Sequence, residues 1–360
     1  MIKERILFIA VGQGAGNITK ELNELGYNSF YINTSYEDLK TLNVNDNIIY
    51  HIPNSKGCAR SKAKALDYAN DYFEEITSVI DSKFPTSDII YVVYGAGGGT
   101  SSMANMLTHI MSAQNPNKTY NLIVALPSSK ESILVHSNAI ENLKELRNLH
   151  KEQENIKTLF LLDNNSREDI LEINTEFAML FDRFVGYEGT TIMGNVDGEE
   201  IETLITDKGV SAILEFEDED FKVGVAKALK DTIFTTWNVD CNYVGAILDK
   251  EFSDINVSEG LKDSFGVPIT DFKTYDDDNC NIIIGSGMSF NRSTISKLST
   301  IAKERIADKK RIEAEQEEED DEDDSLDLSS FTKKSSTKKA SPKKNNKDLS
   351  DILSRYRNIK

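Results

Sequence analysis

Along the first half of the chain, short unbroken apolar runs alternate with apolar residues set three and four apart. Ile6 to Val11 is such a run and reads as a buried strand, whereas Ile18, Leu22 and Leu25 recur at helical spacing. Ser29 to Ile32 predicts a second strand ending at Asn33-Thr34-Ser35, Ala63 to Ile80 a helix, and Ile89 to Tyr94 a third strand. Ser102 to Met111 is helical in pattern, Leu122 to Leu126 a strand, Ile133 to Leu149 a helix, and Thr158 to Leu162 a strand ending at Asp163-Asn164-Asn165. Strands without a polar face, separated by helices and joined by short polar junctions, imply an α/β fold with a parallel sheet wrapped on both faces. Such sheets bind ligands at the carboxyl ends of their strands.

Further along, the pattern changes. Phe177, Leu180, Phe181 and Phe184 share one helical face, which predicts a helix from Asn174 to Gly186 leaving the first unit; a plain core helix accounts for the same aromatics. Ala212 to Phe216, Tyr243 to Leu248 and Asn281 to Ile284 read as strands of a smaller α/β unit, with helices at Lys222 to Phe234 and Ser258 to Phe265. Ile295, Leu298, Ile301, Ile306 and Ile312 in a charged background predict a long terminal helix. The expected organisation is a parallel-sheet domain over residues 1–173, a central helix over 174–190, a second, smaller α/β domain over 191–290, a C-terminal helix over 291–316 and a tail over 317–360.

Charge explains why the pattern stops in the tail. Glu313 to Leu328 is almost wholly acidic and Lys333 to Lys347 is basic and rich in Ser and Asn; neither buries a core, so disorder is expected. The formal net charge of −19 argues against the folded body as a non-specific nucleic-acid binder, which must neutralise phosphates with Lys and Arg. Cys58, Cys241 and Cys280 lie far apart without CxxC spacing, which argues against a zinc site or disulfide framework and for a reducing cytoplasm. No apolar run approaches the roughly 20 residues that span a bilayer, so no membrane partner is expected.

The candidate chemistry sits at two strand ends. In YGAGGGTSSMANML, from Tyr94 to Leu107, Gly97, Gly98 and Gly99 occupy the junction of strand and helix. Without side chains they are expected to take positive φ and turn amide NH groups toward an anion, helped by the positive end of the helix. Thr100, Ser101 and Ser102 offer further hydroxyl donors, although a tight turn with a capping Ser or Thr explains the same residues. Gly12-Gln13-Gly14-Ala15-Gly16-Asn17 forms a second glycine loop after the first strand. Its form, G-x-G-x-G, departs from the dinucleotide fingerprint, and Asn33-Thr34-Ser35 stands where a nicotinamide site needs its ribose-binding acid. Two glycine loops ending two strands of one sheet suit a mononucleotide whose phosphates lie between them.

With these two loops the chain resembles the tubulin and FtsZ superfamily, whose second loop has the form GGGTGS or GGGTGT. A third stretch, NVDGEEIETLITDKGVSAIL, resembles the family's N-x-D-x-x-D loop: Asn195 and Asp197 match, Glu200 takes the third position, and Gly209 falls in register. The resemblance implies GTP or GDP as ligand, with magnesium. It implies that Gly12, Gln13, Gly14, Ala15, Gly16 and Asn17, with Gly97, Gly98, Gly99, Thr100, Ser101 and Ser102, hold the phosphates. It further implies that Asn164 reads the guanine edge, that Phe177 stacks on the ring, and that Pro127 and Glu131 meet the ribose. The family's ribose-side arginine is replaced near Val135 and His136, and Ser35 stands in place of an Asp. Finally, the resemblance implies that the NVDGEE loop of one subunit completes the pocket of the next, Asp197 and Glu200 polarising the attacking water and Asn195 positioning them. On its residues alone, NVDGEE is a capped helix N-terminus.

The long charged helix and basic terminus resemble the TubZ-type filament proteins of plasmids and phages more than cell-division FtsZ. That resemblance implies a GTPase of the bacterial cytoplasm that polymerises head to tail, positions plasmid or phage DNA, and meets a DNA-bound adaptor through its tail. Leu349, Ile352, Leu353 and Tyr356 recur at helical spacing and suit a small docking helix; a purely solvating tail explains the charge runs as well. The alternatives are a nucleotide-binding scaffold without turnover and a nicotinamide-dependent oxidoreductase.

Overall fold

The computed structural model describes residues 2–187, 189, 196–218, 220–276 and 281–320, with residues 312–320 described by backbone alone. Its strands are β1 (Ile6–Val11), β2 (Asn28–Asn33), β3 (Ile49–His51), β4 (Ile89–Gly95), β5 (Thr119–Leu126), β6 (Ile156–Asp163), β7 (Gly209–Phe216), β8 (Tyr243–Asp249), β9 (Thr270–Asp276) and β10 (Asn281–Met288). They form one ten-stranded sheet in the order β3-β2-β1-β4-β5-β6-β7-β10-β8-β9. Every pairing from β3 to β7 is parallel, β10 runs antiparallel to both β7 and β8, and β8 and β9 pair in parallel.

The helices are α1 (Ile2–Arg5), α2 (Gln13–Glu24), α3 (Tyr36–Thr41), α4 (Lys62–Lys83), α5 (Ala104–Gln114), α6 (Ile133–Glu152), α7 (Ile170–Val185), α8 (Gly198–Thr206), α9 (Phe221–Lys230), α10 (Val257–Phe265) and α11 (Arg292–Asp320). On one face α2 packs against α7; on the other, α4, α5, α6 and α11 pack in succession. Covered on both sides, β1 is buried at every residue, as its unbroken apolar run requires. Phe8 stacks on Tyr91 with ring centroids 5.2 Å apart, and Phe181 of α7 meets both edge-on at 5.5 and 5.4 Å. The Tyr91 hydroxyl donates to the Ile205 carbonyl (2.7 Å), which fixes α8 on that same face.

The strands of the second unit extend the first sheet. β6 and β7 join through Thr158 opposite Gly209 and Leu159 opposite Val210, and the Thr158 hydroxyl donates to the Asp207 carbonyl (2.8 Å). Gly209 opens β7 at this seam, where a Cβ would come within 2.5 Å of the Gly287 carbonyl carbon.

Three differences from the pattern reading have local causes. The central helix starts at Ile170, four residues before the expected Asn174, because the Asp169 side chain accepts from Leu171 N and caps it. The helix expected through Phe234 stops at Lys230, and Phe234 instead bridges to Leu162 beside the core. β3, α3 and β9 gave no clear signal: the first two are short, and β9 is a sheet edge with few buried residues. Helix α11 runs on to Asp320, past the expected end at 316, while residues 321–360 and Cys280 lie outside the described residues. Among the described residues no helix is long and apolar enough to cross a membrane.

Candidate functional site

A cavity of about 660 Å³ opens at the carboxyl ends of β1, β4, β5 and β6. Both glycine loops face it, through Gly12, Gln13, Gly14 and Asn17 on one side and Gly97, Gly98, Gly99, Thr100 and Ser101 on the other. Gly12 has φ +91°, a conformation that glycine adopts without strain, and its amide donates to the Ile32 carbonyl (2.9 Å). It caps α2 without any side-chain bond, which leaves the first-turn amides of α2 without carbonyl partners inside the helix. A Cβ on Gly14 would meet nothing within 4 Å, so the backbone there stands open to a ligand. That is a cradle suited to an anion. Ala15 and Gly16 point the other way: Ala15 is buried, and Gly16 is pressed against Leu42.

The second loop is built differently from expectation. None of Gly97, Gly98 and Gly99 has positive φ. What demands glycine is close approach: a Cβ on Gly97 would lie 2.5 Å from the Val135 carbonyl oxygen, and one on Gly99 would lie 2.8 Å from both Arg60 N and Cα. The hydroxyls expected on phosphate are bonded within the protein. Ser101 Oγ donates to the Gly95 carbonyl (2.5 Å) and Ser102 Oγ to the Gly98 carbonyl (2.8 Å). Thr100 Oγ1 donates to Asn33 Oδ1 (3.2 Å) and shares a hydrogen bond with Thr34 Oγ1 (2.6 Å). Ser102 is buried beneath the loop and does not line the cavity. From behind, Asn142 Nδ2 donates to the Ala96 carbonyl (2.7 Å), so α6 braces the turn.

The two asparagines at the far end of the cavity are Asn164, after β6, and Asn174, on α7. Phe177, expected to stack on a base, is fully buried, with Phe160, Phe181 and Phe234 at 5.6, 5.9 and 6.2 Å. The correction follows from helical register, which turns Phe177 into the sheet and leaves Ile170, Leu171 and Asn174 toward the cavity. Phe177→Leu is therefore expected to cost about 1 kcal/mol in urea unfolding while leaving nucleotide affinity unchanged. Glu131 and Pro127 line the cavity as expected. His136, in the stretch where the family's arginine is replaced, is buried with Nδ1 bonded to the Ser132 carbonyl (3.0 Å).

Of the cavity-lining side chains that carry a charge or an amide, sequence reasoning missed Asp38, Asn174 and Arg60. Ser35 caps α3, its hydroxyl accepting from Asp38 N (3.2 Å), which brings the Asp38 carboxylate to the cavity rim; the S-x-x-D spacing was the available signal. Asn174 was signalled by its place on α7, almost one turn before Phe177. Arg60 had no signal. It reaches the cavity from the loop before α4, where Gly57, Ala59 and Arg60 all have positive φ and Asn138 Nδ2 donates to the Arg60 carbonyl (2.9 Å).

Asp197 and Glu200 are elsewhere. Asp197 caps α8 by accepting from Glu199 N and Glu200 N (3.0 Å each), and Glu200 accepts from Asp197 N (3.1 Å), a reciprocal capping box. Two residues beyond Glu200, Glu202 accepts from Arg5 Nη1 (2.5 Å), and Arg5 also bonds Asp88 through Nε (2.9 Å). These bonds, to Asp88 first and Glu202 second, raise the Arg5 pKa further above its ordinary value. Arg5 immediately precedes β1 and Gly12 follows it, so the six residues of β1 set α8 and the cavity ~20 Å apart along the sheet. Asn195 lies outside the described residues.

Residues 5–172 match the GTPase domain of the tubulin/FtsZ family, and residues 200–289 match the C-terminal domain of the tubulin-like protein TubZ. The tubulin-like protein TubZ of Clostridium botulinum C phage is 34% identical over 331 residues, covering 91% of this chain and 90% of that relative. The chain belongs to the tubulin/FtsZ family. Its TubZ branch is also the structural match: the tail-truncated TubZ of Clostridium botulinum phage c-st superposes with a TM-score of 0.79 at 33% identity, covering 86% of this chain and all of that one. A GTPγS-form protofilament of TubZ from Bacillus thuringiensis serovar israelensis shares the fold, with a TM-score of 0.74 at 16% identity over 86% of this chain and 94% of that one. The chain therefore carries a tubulin/FtsZ GTPase domain and a TubZ C-terminal domain.

Proposed function

We propose that this chain binds GTP in the cavity, polymerises head to tail, and hydrolyses GTP at the joint between subunits. One observation carries the reading. The phosphate cradle and the α8 carboxylates lie at opposite ends of the same sheet, so one chain cannot bring them together, whereas stacking copies end to end does. The family membership supports GTP as the ligand, and a relative solved as a GTPγS-form protofilament supports the polymer.

In this reading the first-turn amides of α2 and the glycine backbone of the second loop hold the phosphates. Asn164 and Asn174 offer paired donors and acceptors to a guanine edge, and Glu131 meets the ribose. No three His, Cys, Asp or Glu side chains converge on a metal position among the described residues, so a magnesium ion would draw its ligands mainly from phosphate oxygens and water. Asp197 and Glu200 of the next subunit polarise the attacking water, with Asn195 positioning them. We place the polymer in the bacterial cytoplasm, segregating plasmid or phage DNA, with the tail meeting a DNA-bound adaptor. The second reading, a nucleotide-binding scaffold without turnover, is favoured by one fact: both carboxylates are committed to capping α8.

Phosphate release measured against protein concentration, with light scattering alongside, separates the readings. Hydrolysis at a joint gives a threshold concentration shared by scattering and release. Release proportional to protein from the lowest concentration would overturn the shared site, scattering without release would favour the scaffold, and extraction of NAD without guanine nucleotide would overturn GTP as the ligand.

A further inference from the structure

Among the described residues, the loop from Gly57 to Arg60 presents the one positively charged side chain that lines the nucleotide cavity. Its backbone rests directly on Gly99, and two successive non-glycine residues, Ala59 and Arg60, are held at φ +48° and +60°. That conformation is strained for residues with a Cβ and persists where the surroundings enforce it, here through the Asn138 bond to the Arg60 carbonyl. The guanidinium itself is loosely held. Nη1 is 3.2 Å from Ser132 Oγ and 3.7 Å from Glu131 Oε2, and the side chain is 53% exposed. The backbone is thus fixed beside the second glycine loop while the charge is free to move.

Building on the GTPase reading, we propose that Arg60 is a catalytic residue acting in cis: its guanidinium breaks from Glu131 and donates to oxygens of the terminal phosphate. A nucleoside triphosphate brings several negative charges into a cavity whose loops offer amides and whose Thr100 and Ser101 hydroxyls are already bonded within the protein. As the water oxygen bonds to the γ-phosphorus, the bond from that phosphorus to its bridging oxygen breaks and the electron pair leaves on GDP. The water proton passes to an α8 carboxylate of the neighbouring subunit and then to solvent. Arg60 keeps its proton throughout and balances the charge that moves onto the transferred and bridging oxygens.

The test uses the full chain. Arg60→Ala is expected to lower kcat about 30-fold, less than for a fully buried arginine because solvent screens this one, and to leave GDP affinity unchanged. Arg60→Lys retains part of the rate. Cis action is read by mixing Arg60→Ala with Asp197→Asn subunits in equal amounts. Where the cavity of an Asp197→Asn subunit meets α8 of an Arg60→Ala subunit, both halves are intact, and about a quarter of random joints are of this kind. Turnover recovering to about that share supports the assignment, provided that both variants enter the polymer by scattering. No recovery in a mixed polymer, or wild-type kcat in Arg60→Ala, overturns it. A wild-type protein that releases no phosphate at any concentration overturns the GTPase reading instead.

Discussion

Asp197→Asn is expected to cut GTP turnover by on the order of 10³-fold while leaving the fold as stable as before. The substitution separates two roles that the same carboxylate would hold. As N-cap of α8 it accepts from two amides, and Asn performs that task as well as Asp. As a group that polarises water it needs its charge, which Asn lacks. Asp197→Ala removes both and is expected to lower stability by about 1 kcal/mol as well. Glu200→Gln should behave like Asp197→Asn, since Gln closes the capping box. Steady-state phosphate release above the assembly threshold, paired with thermal unfolding, reads the two roles apart. If Asp197→Asn hydrolyses GTP at the wild-type rate, Asp197 is a cap and nothing more.

Nucleotide affinity should collapse in Gly97→Ala and Gly99→Ala. The added Cβ meets backbone in both cases, the Val135 carbonyl oxygen at 2.5 Å and Arg60 N and Cα at 2.8 Å, and backbone gives way less readily than a side-chain tip. Forcing the loop aside costs about 2–3 kcal/mol, which appears as on the order of 10²-fold in GTP dissociation constant. Gly14→Ala provides the contrast. Its Cβ meets nothing within 4 Å, so a loss of affinity there reports an obstructed ligand in an undistorted loop. Titration with a fluorescent GTP analogue, beside a circular dichroism check of the fold, measures all three; tight binding by Gly97→Ala would count against the second loop as a phosphate holder.

The fold was legible because its signal is physical and local. Unbroken apolar runs such as Ile6 to Val11 and Ile89 to Tyr94 have no polar face to expose, so they had to be central strands. The edge strand β9 and the three-residue β3 were illegible for the converse reason, since a half-covered strand imposes no strong pattern. In the site, glycine marked the right loops for a partly wrong reason. Gly12 uses its conformational freedom, whereas Gly97 and Gly99 make room for Val135 and Arg60, residues far away in sequence. Contacts of that kind leave no mark on the neighbouring sequence, and Arg60 stayed hidden with them. Phe177 was misplaced because the spacing of aromatics on a helix identifies a face without saying which neighbour that face meets.

If subunits stack head to tail as proposed, the separation of the cradle from α8 by the length of β1 also gives the fibre unlike ends. On the proposed arrangement, one terminal subunit exposes a filled cradle that no carboxylate reaches, while the other terminal subunit presents carboxylates to solvent alone. A fibre of n subunits then holds n−1 complete sites, and the nucleotide at one tip outlives every other in the chain. Whatever binds that tip would meet a chemical clock stopped at its starting state, and so could tell head from tail without reading any shape.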